Sequence, residues 1–137
     1  MAEEIYELVL PAEVDRLPEV MSFVEGHLEE KETPMKTILQ ISMCCEEIFV
    51  NIASYAYGSE KGEAKMRLVF VPGSLTITFT DSGKPFDPLA KPDPDVTLSA
   101  EERGIGGLGI YMTKNAMDHM SYEYKDNQNI LTMTKNL

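Results

Sequence analysis

A long amphipathic segment in the first half of the chain constrains the fold more than any other feature. Apolar side chains recur there at steps of three and four residues, the period of one buried helical face. They are Ile38, Ile41, Cys45, Ile48, Ile52 and Ala56. Thr33 and Pro34 precede this stripe as a hydroxyl N-cap and a first-turn proline, and Gly58 supplies a stop. The pattern predicts one long helix that covers one side of a core.

Five shorter segments have the composition of β-strands, because they are rich in apolar and β-branched residues and are bounded by turn residues. They lie at residues 5–10, 66–71, 75–80, 120–124 and 130–133. Hairpin turns are predicted at Pro72-Gly73-Ser74 and at Asp126-Asn127-Gln128-Asn129. The chain is therefore expected to begin and end with strands.

Two more helices are predicted, one before the long helix and one after the first hairpin. The earlier one runs from Leu17 to Lys31, with Pro18 tolerated in its first turn. Its apolar stripe is Val14, Leu17, Met21, Val24 and Leu28. The later one covers residues 110–117. The order β-α-α-β-β-loop-α-β-β predicts an α/β (α+β) two-layer sandwich, in which a mixed, mainly antiparallel sheet has its helices on one face.

Length and charge limit the classes of function. A chain of 137 residues fits one domain with a single hydrophobic core. With 43% hydrophobic and 26% charged residues, the chain has the balance of a folded globular protein. The formal net charge of -11 argues against direct binding to nucleic acid, whose phosphates are held by clustered Lys and Arg. A partner with a basic surface fits this charge better.

The two cysteines bear on the cellular compartment. Cys44 and Cys45 are neighbours in the predicted long helix, where their side chains diverge and cannot form an ordinary disulfide. Free thiols indicate a reducing environment, so a cytoplasmic location is expected. The sequence has no targeting signal at its start and no run of about 20 apolar residues. No association with a membrane is expected.

The first candidate functional pair lies on the long helix. Glu47 and Asn51 are four residues apart, so their side chains are neighbours at the edge of the buried face. There Asn51 offers an oxygen to a magnesium ion, and Glu47 offers a carboxylate that accepts a proton. The alternative is a solvated helix edge without function. Glu46 is expected on a different face and serves as an internal control.

A second candidate motif follows the strand at residues 75–80. Asp81 begins the pattern Asp-x-Gly-x-Pro-Phe, in which Gly83 permits a bend and Pro85 stiffens the exit. A carboxylate at this corner accepts a hydrogen bond from the exocyclic amine of adenine, which guanine does not offer in the same place. The alternative is an ordinary Asp-x-Gly turn that leaves a strand.

A glycine-rich turn before the last helix is the third candidate. It consists of Gly104, Ile105, Gly106, Gly107, Leu108 and Gly109. A dinucleotide-binding fold needs a strand before such a pattern, and the preceding residues here are polar. An ordinary protein kinase needs a later His-Arg-Asp loop that is missing. Exposed backbone N–H groups at a helix start still bind phosphates, and Arg103 would add charge unless it only pairs with the neighbouring glutamates.

The three motifs together resemble the three boxes of the GHKL (Bergerat-fold) ATPases. They are Glu47-x-x-x-Asn51, Asp81-x-Gly83-x-Pro85-Phe86 and Arg103-Gly104-x-Gly106-Gly107-x-Gly109, in that order. Among these ATPases, the short chain is similar to the anti-sigma-factor serine/threonine kinases. The resemblance implies one histidine-kinase-like ATPase domain over residues 1–137, with ATP and Mg²⁺ as cofactors. It further implies a homodimer that phosphorylates an anti-anti-sigma (STAS) protein and sequesters a sigma factor.

The resemblance also implies roles for single residues. Glu47 is similar to the catalytic base, Asn51 to the metal ligand and Asp81 to the adenine reader. Residues 87–103 would be the ATP lid. The implied nucleotide-binding residues are Asn51, Asp81, Gly83, Pro85, Arg103, Gly104, Gly106, Gly107, Leu108 and Gly109.

Two features depart from the family pattern. Many members have a Gly-Thr-Thr run in the last strand whose threonine supports the adenine aspartate, whereas this chain has Gln128-Asn129-Ile130-Leu131-Thr132. Thr132 is therefore not assigned that role. The doubled Gly106-Gly107 also makes the phosphate turn more open than usual.

Three functions remain open at this point. The first is the kinase implied by the resemblance, with Glu47 activating the acceptor serine. The alternative is a nucleotide-dependent regulatory binding module without kinase activity. The third is a structural α/β domain in which the three motifs coincide by chance. Glu47 favours the kinase, because a module that only binds nucleotide has no need of a base there.

Overall fold

The computed structural model describes residues 3–58, 60–90 and 108–137, with the side chain of Leu108 left out. The strands and helices are β1 (Glu4–Pro11), α1 (Leu17–Glu30), α2 (Met35–Asn51), β2 (Glu63–Val71), β3 (Ser74–Asp81), α3 (Leu108–Ala116), β4 (His119–Lys125) and β5 (Gln128–Asn136). A short 3-10 turn at Val14–Arg16 precedes α1, and a π-helical turn at Ile52–Ala56 continues α2. The predicted order of helices and strands is confirmed.

The strands form one five-stranded sheet in the order β1-β2-β3-β5-β4. All four strand pairs are antiparallel, so the described sheet is antiparallel throughout rather than mixed. β3 lies at the centre, between β2 and β5. Its last residue, Asp81, stands opposite Ala64 on one side and Asn129 on the other. This register brings the end of β3 against the start of β5.

The core lies between the helices and one face of the sheet. On β3, Leu75, Ile77 and Phe79 are buried while the threonines between them are partly exposed, as strand alternation requires. The predicted stripe of α2 is buried as a whole against this face. Each large side chain withdrawn from water in this way contributes about 1.5–3 kcal/mol. The α/β sandwich is therefore confirmed.

The N-terminal end of α2 differs from the prediction. Thr33 is not the N-cap, because α2 begins at Met35 and Pro34 occupies the capping position without a side-chain hydrogen bond. Pro34 has an extended backbone (φ -58°, ψ 142°), and its carbonyl accepts the N–H of Ile38 at 3.0 Å. The helix therefore begins one residue after the proline.

The C-terminal end of the helical segment also differs. The α-helix ends at Asn51, and the next five residues form the π-helical turn. Gly58 follows with a φ of 60°, as expected for a helix stop. Wide turns of this kind are frequent at functional sites. Here the turn borders the cleft described below.

Two smaller expectations are corrected by the structure. The second hairpin turn is only Asp126 and Asn127, with φ of 53° and 62°, so Gln128 and Asn129 belong to β5. In α1, Val20 is buried and Val14 is exposed, because Val14 lies in the 3-10 turn before the helix. The buried stripe of α1 is thus shifted to Val20, Val24 and Leu28.

Both cysteines are buried free thiols on α2. Burial raises the pKa of Cys44 and raises that of Cys45 well above the ordinary thiol value. No helix within the described ranges is long and apolar enough to cross a membrane.

Candidate functional site

A cleft opens where the C-terminal part of α2 and the π-helical turn meet the ends of β3 and β5. Its apolar surface is formed by Ile48, Ile52, Ala56, Phe79, Pro88 and Leu131, and its polar or aromatic groups are Asn51, Tyr55, Asp81, Lys84, Phe86, Tyr122 and Asn129. A mostly apolar cleft with a few convergent polar groups is the usual form of a small-molecule site.

Asp81 is the buried carboxylate of this cleft, with 6% of its surface exposed. Strand alternation places it on the inward face of β3, in line with Phe79. Its Oδ1 accepts the N–H of Gly83 and a hydrogen of Asn129 Nδ2, both at 2.9 Å. The bond from the Gly83 N–H closes the ordinary Asp-x-Gly turn that was the alternative to an adenine site. Asp81 therefore makes this turn and also lines the cleft. Within the described residues, Oδ2 remains able to accept from a ligand.

Asn129 links several parts of the cleft. Its Nδ2 donates to Asp81 Oδ1 and to the carbonyl of Lys84 at 2.9 Å. Its Oδ1 accepts the N–H of Phe86 at 3.1 Å and the hydroxyl of Tyr122. Burial is the main cause that raises the pKa of Tyr122, so this phenol remains a neutral donor.

The segment after β3 is held against the π-helical turn. The N–H of Lys84 donates to the carbonyl of Ala56 at 2.9 Å. A Cβ at Gly83 would overlap this carbonyl, so the glycine allows the close approach of the two segments. Tyr57 adds a second link, since its hydroxyl donates to the carbonyl of Glu63 at 2.6 Å and accepts the N–H of Ser82 at 2.8 Å.

Glu47 and Asn51 are joined as their spacing predicts. Asn51 Nδ2 donates to Glu47 Oε2 at 3.0 Å, which leaves the carboxamide oxygen of Asn51 for another partner. Asn51 lines the cleft, whereas Glu47 lines a neighbouring groove between α2 and α3. A neutral oxygen beside a carboxylate is a donor set that suits magnesium, which also keeps waters and binds phosphates. The pair therefore fits the implied metal.

Gly109, in the first turn of α3, packs directly on Glu47. A Cβ at Gly109 would overlap Glu47 Oε1, so only glycine leaves this carboxylate in place. The carbonyl of Gly109 accepts the hydroxyl of Thr113 at 2.9 Å. A carboxylate at a helix N-terminus is also electrostatically favourable.

Glu46 does not lie apart from this site as expected. It is exposed, and it lines the same groove as Glu47 and Gly109. Adjacent helical residues differ by about 100° in direction, but α3 packs close enough to α2 to bring both carboxylates to one groove. Glu46 is therefore not an independent control.

Comparison with known proteins identifies the family of this chain. The model of the histidine kinase-like ATPase domain matches residues 10–135. The chain belongs to this family. The cleft, the Glu47–Asn51 pair and the end of β3 all lie within the matched part of this ATPase domain.

Two curated relatives have the names of protein kinases. The ATPase domain is 26% identical over 95 residues to the serine/threonine-protein kinase BtrW of Bordetella bronchiseptica, covering 69% of this chain and 67% of that protein. It is 27% identical over 105 residues to the serine-protein kinase RsbW of Listeria monocytogenes, covering 73% of this chain and 66% of that protein. The chain thus spans about two thirds of the length of these relatives.

A solved structure shares the fold. It contains the RsbU and RsbW domains of Rv1364c from Mycobacterium tuberculosis, and it superposes with a TM-score of 0.70 at 14% identity. The match covers 98% of this chain and 32% of that one. The resemblance to the fold of an RsbW-containing protein agrees with the family assignment.

The described part of the chain includes some of the expected site residues of the ATPase domain. Arg103, Gly104, Gly106 and Gly107 lie outside the described residues, as do residues 91–103 of the expected lid. Leu108 begins α3. Gly83 and the exposed Pro85 lie beside the cleft, in the segment that Asn129 holds.

Asn129 and Tyr122 are among the polar residues of the cleft that sequence reasoning missed. Asn129 was expected in a turn, yet it is 7% exposed on the inward face of β5. Strand alternation could have found it, because Leu131 and Met133 are the next residues on that face. Tyr122 had the same signal, since Met120 and Tyr122 are partly buried and alternate with the exposed Ser121 and Glu123 on β4.

Proposed function

We propose that this protein is an ATP-dependent serine/threonine protein kinase of the anti-sigma-factor type. The hydrogen-bonded pair of Glu47 and Asn51 supports this most directly, because it sets a carboxylate beside a metal-binding oxygen at the edge of the cleft. The family model and the names of the two relatives support the same reading. A module that only binds nucleotide would not need this carboxylate.

Adenine is proposed to bind in the cleft with its exocyclic amine at Asp81. In this arrangement Asp81 Oδ2 accepts from this amine, and the apolar side chains of Ile48, Ile52 and Leu131 cover the faces of the ring. Guanine has a carbonyl oxygen at the same position, which a carboxylate repels. The proposal therefore predicts a preference for ATP and ADP over GTP.

Asn51 and Glu47 are proposed to have different roles, the first in metal binding and the second in proton transfer. The carboxamide oxygen of Asn51 would hold magnesium. Bound ATP would supply the phosphoryl group, and the ion would neutralise the charge on the phosphates. Glu47 Oε2 is tied to Asn51, so Oε1 accepts the proton of the acceptor hydroxyl. Arg103 and the turn at residues 104–109 are proposed to hold the phosphates.

The proposed protein partners follow from the resemblance to anti-sigma-factor kinases. They are an anti-anti-sigma (STAS) protein that receives the phosphate and a sigma factor that is sequestered. A homodimer and a cytoplasmic location belong to the same proposal. The net charge of -11 supports partners with basic surfaces rather than nucleic acid.

A transfer assay tests this function. The protein is incubated with magnesium and ATP labelled at the γ-phosphate, together with candidate STAS proteins. Labelled phosphoserine on one of them is the expected result. An ATP-dependent complex without any transfer would support the binding module instead.

A further inference from the structure

We infer that Asn129 is the positioning residue that makes the cleft selective for the amine of adenine. This inference rests on the proposed binding of ATP. Asn129 lies on β5 and is not assigned a contact with the base. It acts through its hydrogen bonds to Asp81 and to the segment after β3. Tyr122 supports Asn129 in this role.

The first step of the argument is that Asn129 has no capacity left for a ligand. A carboxamide has two N–H donors and two acceptor lone pairs. The donors are used by Asp81 Oδ1 and the Lys84 carbonyl, and the lone pairs by the Phe86 N–H and the Tyr122 hydroxyl. Asn129 therefore acts through its neighbours rather than on the base.

The second step is that Asn129 decides which oxygen of Asp81 meets the ligand. Asn129 and Asp81 are directly opposite in the β3–β5 register, so their side chains meet on the inward face. The bond from Asn129 and the bond from the Gly83 N–H both end on Oδ1. Two donors on one oxygen fix the rotation of the carboxylate, so Oδ2 is the oxygen that we assign to the ligand.

The third step is that the same side chain sets the wall of the cleft. Lys84 and Phe86 both line the cleft, and Asn129 binds the backbone of each. The distance between Asp81 and this wall therefore depends on one buried carboxamide. Tyr122, which also lines the cleft, holds the oxygen of that carboxamide from β4.

Selectivity for the amine separates this role from a merely structural one. Purine riboside triphosphate is ATP without its exocyclic amine, so it loses only the bond to Asp81. A hydrogen bond to a charged group corresponds to about a tenfold to 100-fold difference in affinity. A loss of fold weakens both ligands alike, whereas a loss of positioning weakens the binding of ATP more than that of the analogue.

The experiment measures the Kd of ATP and of purine riboside triphosphate by calorimetry, with magnesium present. The wild-type protein is expected to favour ATP by about tenfold to 100-fold. Asn129→Leu, which has a similar shape but no polar atom, should bring this ratio to about one. Asn129→Thr keeps a hydroxyl donor at the same position and should recover part of the ratio.

Two further variants complete the design. Asp81→Asn should lower the ratio as Asn129→Leu does, and adding Asn129→Leu to it should change the ratio no further, because both act on one contact. Thr132→Val is the matched control, since Thr132 lies on β5 but faces away from the core. It should leave the ratio unchanged.

The outcomes distinguish the inference from the proposed function. If the wild-type protein binds ATP no better than the analogue, the adenine amine is not read at Asp81, and both this contact and the role of Asn129 are refuted, while the transfer assay still tests the kinase. If the wild-type protein discriminates and Asn129→Leu discriminates equally well, only the role of Asn129 is refuted. Circular dichroism and thermal unfolding verify that each variant is folded.

Discussion

Glu47 and Asn51 show at the scale of single residues how one hydrogen bond separates two tasks. The bond uses the nitrogen of Asn51 and Oε2 of Glu47, so the oxygen of the amide and Oε1 of the acid stay available. Asn51 lines the cleft, and Glu47 lines the groove beside α3. Substitutions of the two residues should therefore have different effects.

Glu47→Gln should abolish most phosphoryl transfer while ATP still binds. The amide keeps the shape and can still accept from Asn51, but it no longer accepts a proton. We expect transfer to fall by about 100-fold or more, the usual effect of losing a general base. Transfer rates from labelled ATP, with affinity from calorimetry, check this result.

Asn51→Ala should instead weaken magnesium-dependent ATP binding and transfer together, because it removes a metal ligand. Glu30→Gln, an exposed position on α1, is the control in place of Glu46 and should change neither quantity. Transfer at the wild-type rate in Glu47→Gln would refute its role as a base.

The contact between α2 and α3 is the decisive one at the scale of elements. α3 approaches α2 so closely that Gly109 leaves no room for a side chain beside Glu47. The groove at this contact contains both glutamates of α2. The position of the proposed base thus depends on how two helices pack.

Gly109→Ala should therefore displace the Glu47 carboxylate and slow phosphoryl transfer by about tenfold, a smaller effect than that of removing the base itself. Gly26→Ala is the matched control, because a Cβ at Gly26 on α1 meets no atom within 4 Å. That control should keep activity and stabilise the protein by about 0.5–1 kcal/mol through helix propensity. Equal activity of both variants would contradict the proposed packing constraint.

The thiols of α2 predict a pH dependence of stability. The pKa of Cys45 is raised well above its ordinary value, with burial as the first cause. The folded state then holds the proton more tightly than the unfolded state does. Stability should be unaffected by this group below about pH 8.5, the pKa of an unfolded thiol, and should fall as the pH rises beyond it.

Thermal unfolding from pH 7 to pH 10 measures this effect. Cys45→Val keeps an apolar side chain of similar size and lacks the ionisable group. The loss of Tm above pH 8.5 should be smaller in this variant than in the wild-type protein. Parallel curves would show that other groups, such as the tyrosines, cause the decline.

The whole molecule places its candidate site between two layers. The cleft uses residues from α2, the π-helical turn, β3, β4 and β5, so a bound nucleotide would tie helices to sheet. A ligand that binds only the folded state stabilises the entire domain. Stability is thus a measure of occupancy that does not depend on transfer.

ATP with magnesium should raise the Tm of the protein. At a concentration 100-fold above the Kd, the gain is about 2.7 kcal/mol, or roughly 10 °C for a domain of this size. Removing magnesium with a chelator should reduce the shift, because the acidic protein would face an uncompensated triphosphate. An equal shift with and without magnesium would contradict the metal requirement.

Local patterns in the sequence were sufficient to predict the elements and the first polar pair. Helical period and strand alternation gave α2, the five strands and the sandwich, since each depends on burial at a regular spacing. The spacing of Glu47 and Asn51 gave their contact in the same way. End positions were less accurate, as Thr33 and Gln128-Asn129 illustrate, because caps and turns depend on a few backbone angles.

Residue patterns and motif order therefore determined the fold class, the family resemblance and the candidate residues of α2 and β3. Tertiary structure alone decided that Asn129 meets Asp81, that Gly109 confines Glu47 and that Glu46 shares its groove. Asn129 and Asp81 are 48 residues apart in the sequence. The positions of Gly109 and Glu46 relative to Glu47 depend on the contact between α2 and α3. Such contacts arise from strand register and helix packing, which bring distant residues together and leave no periodic trace in the sequence.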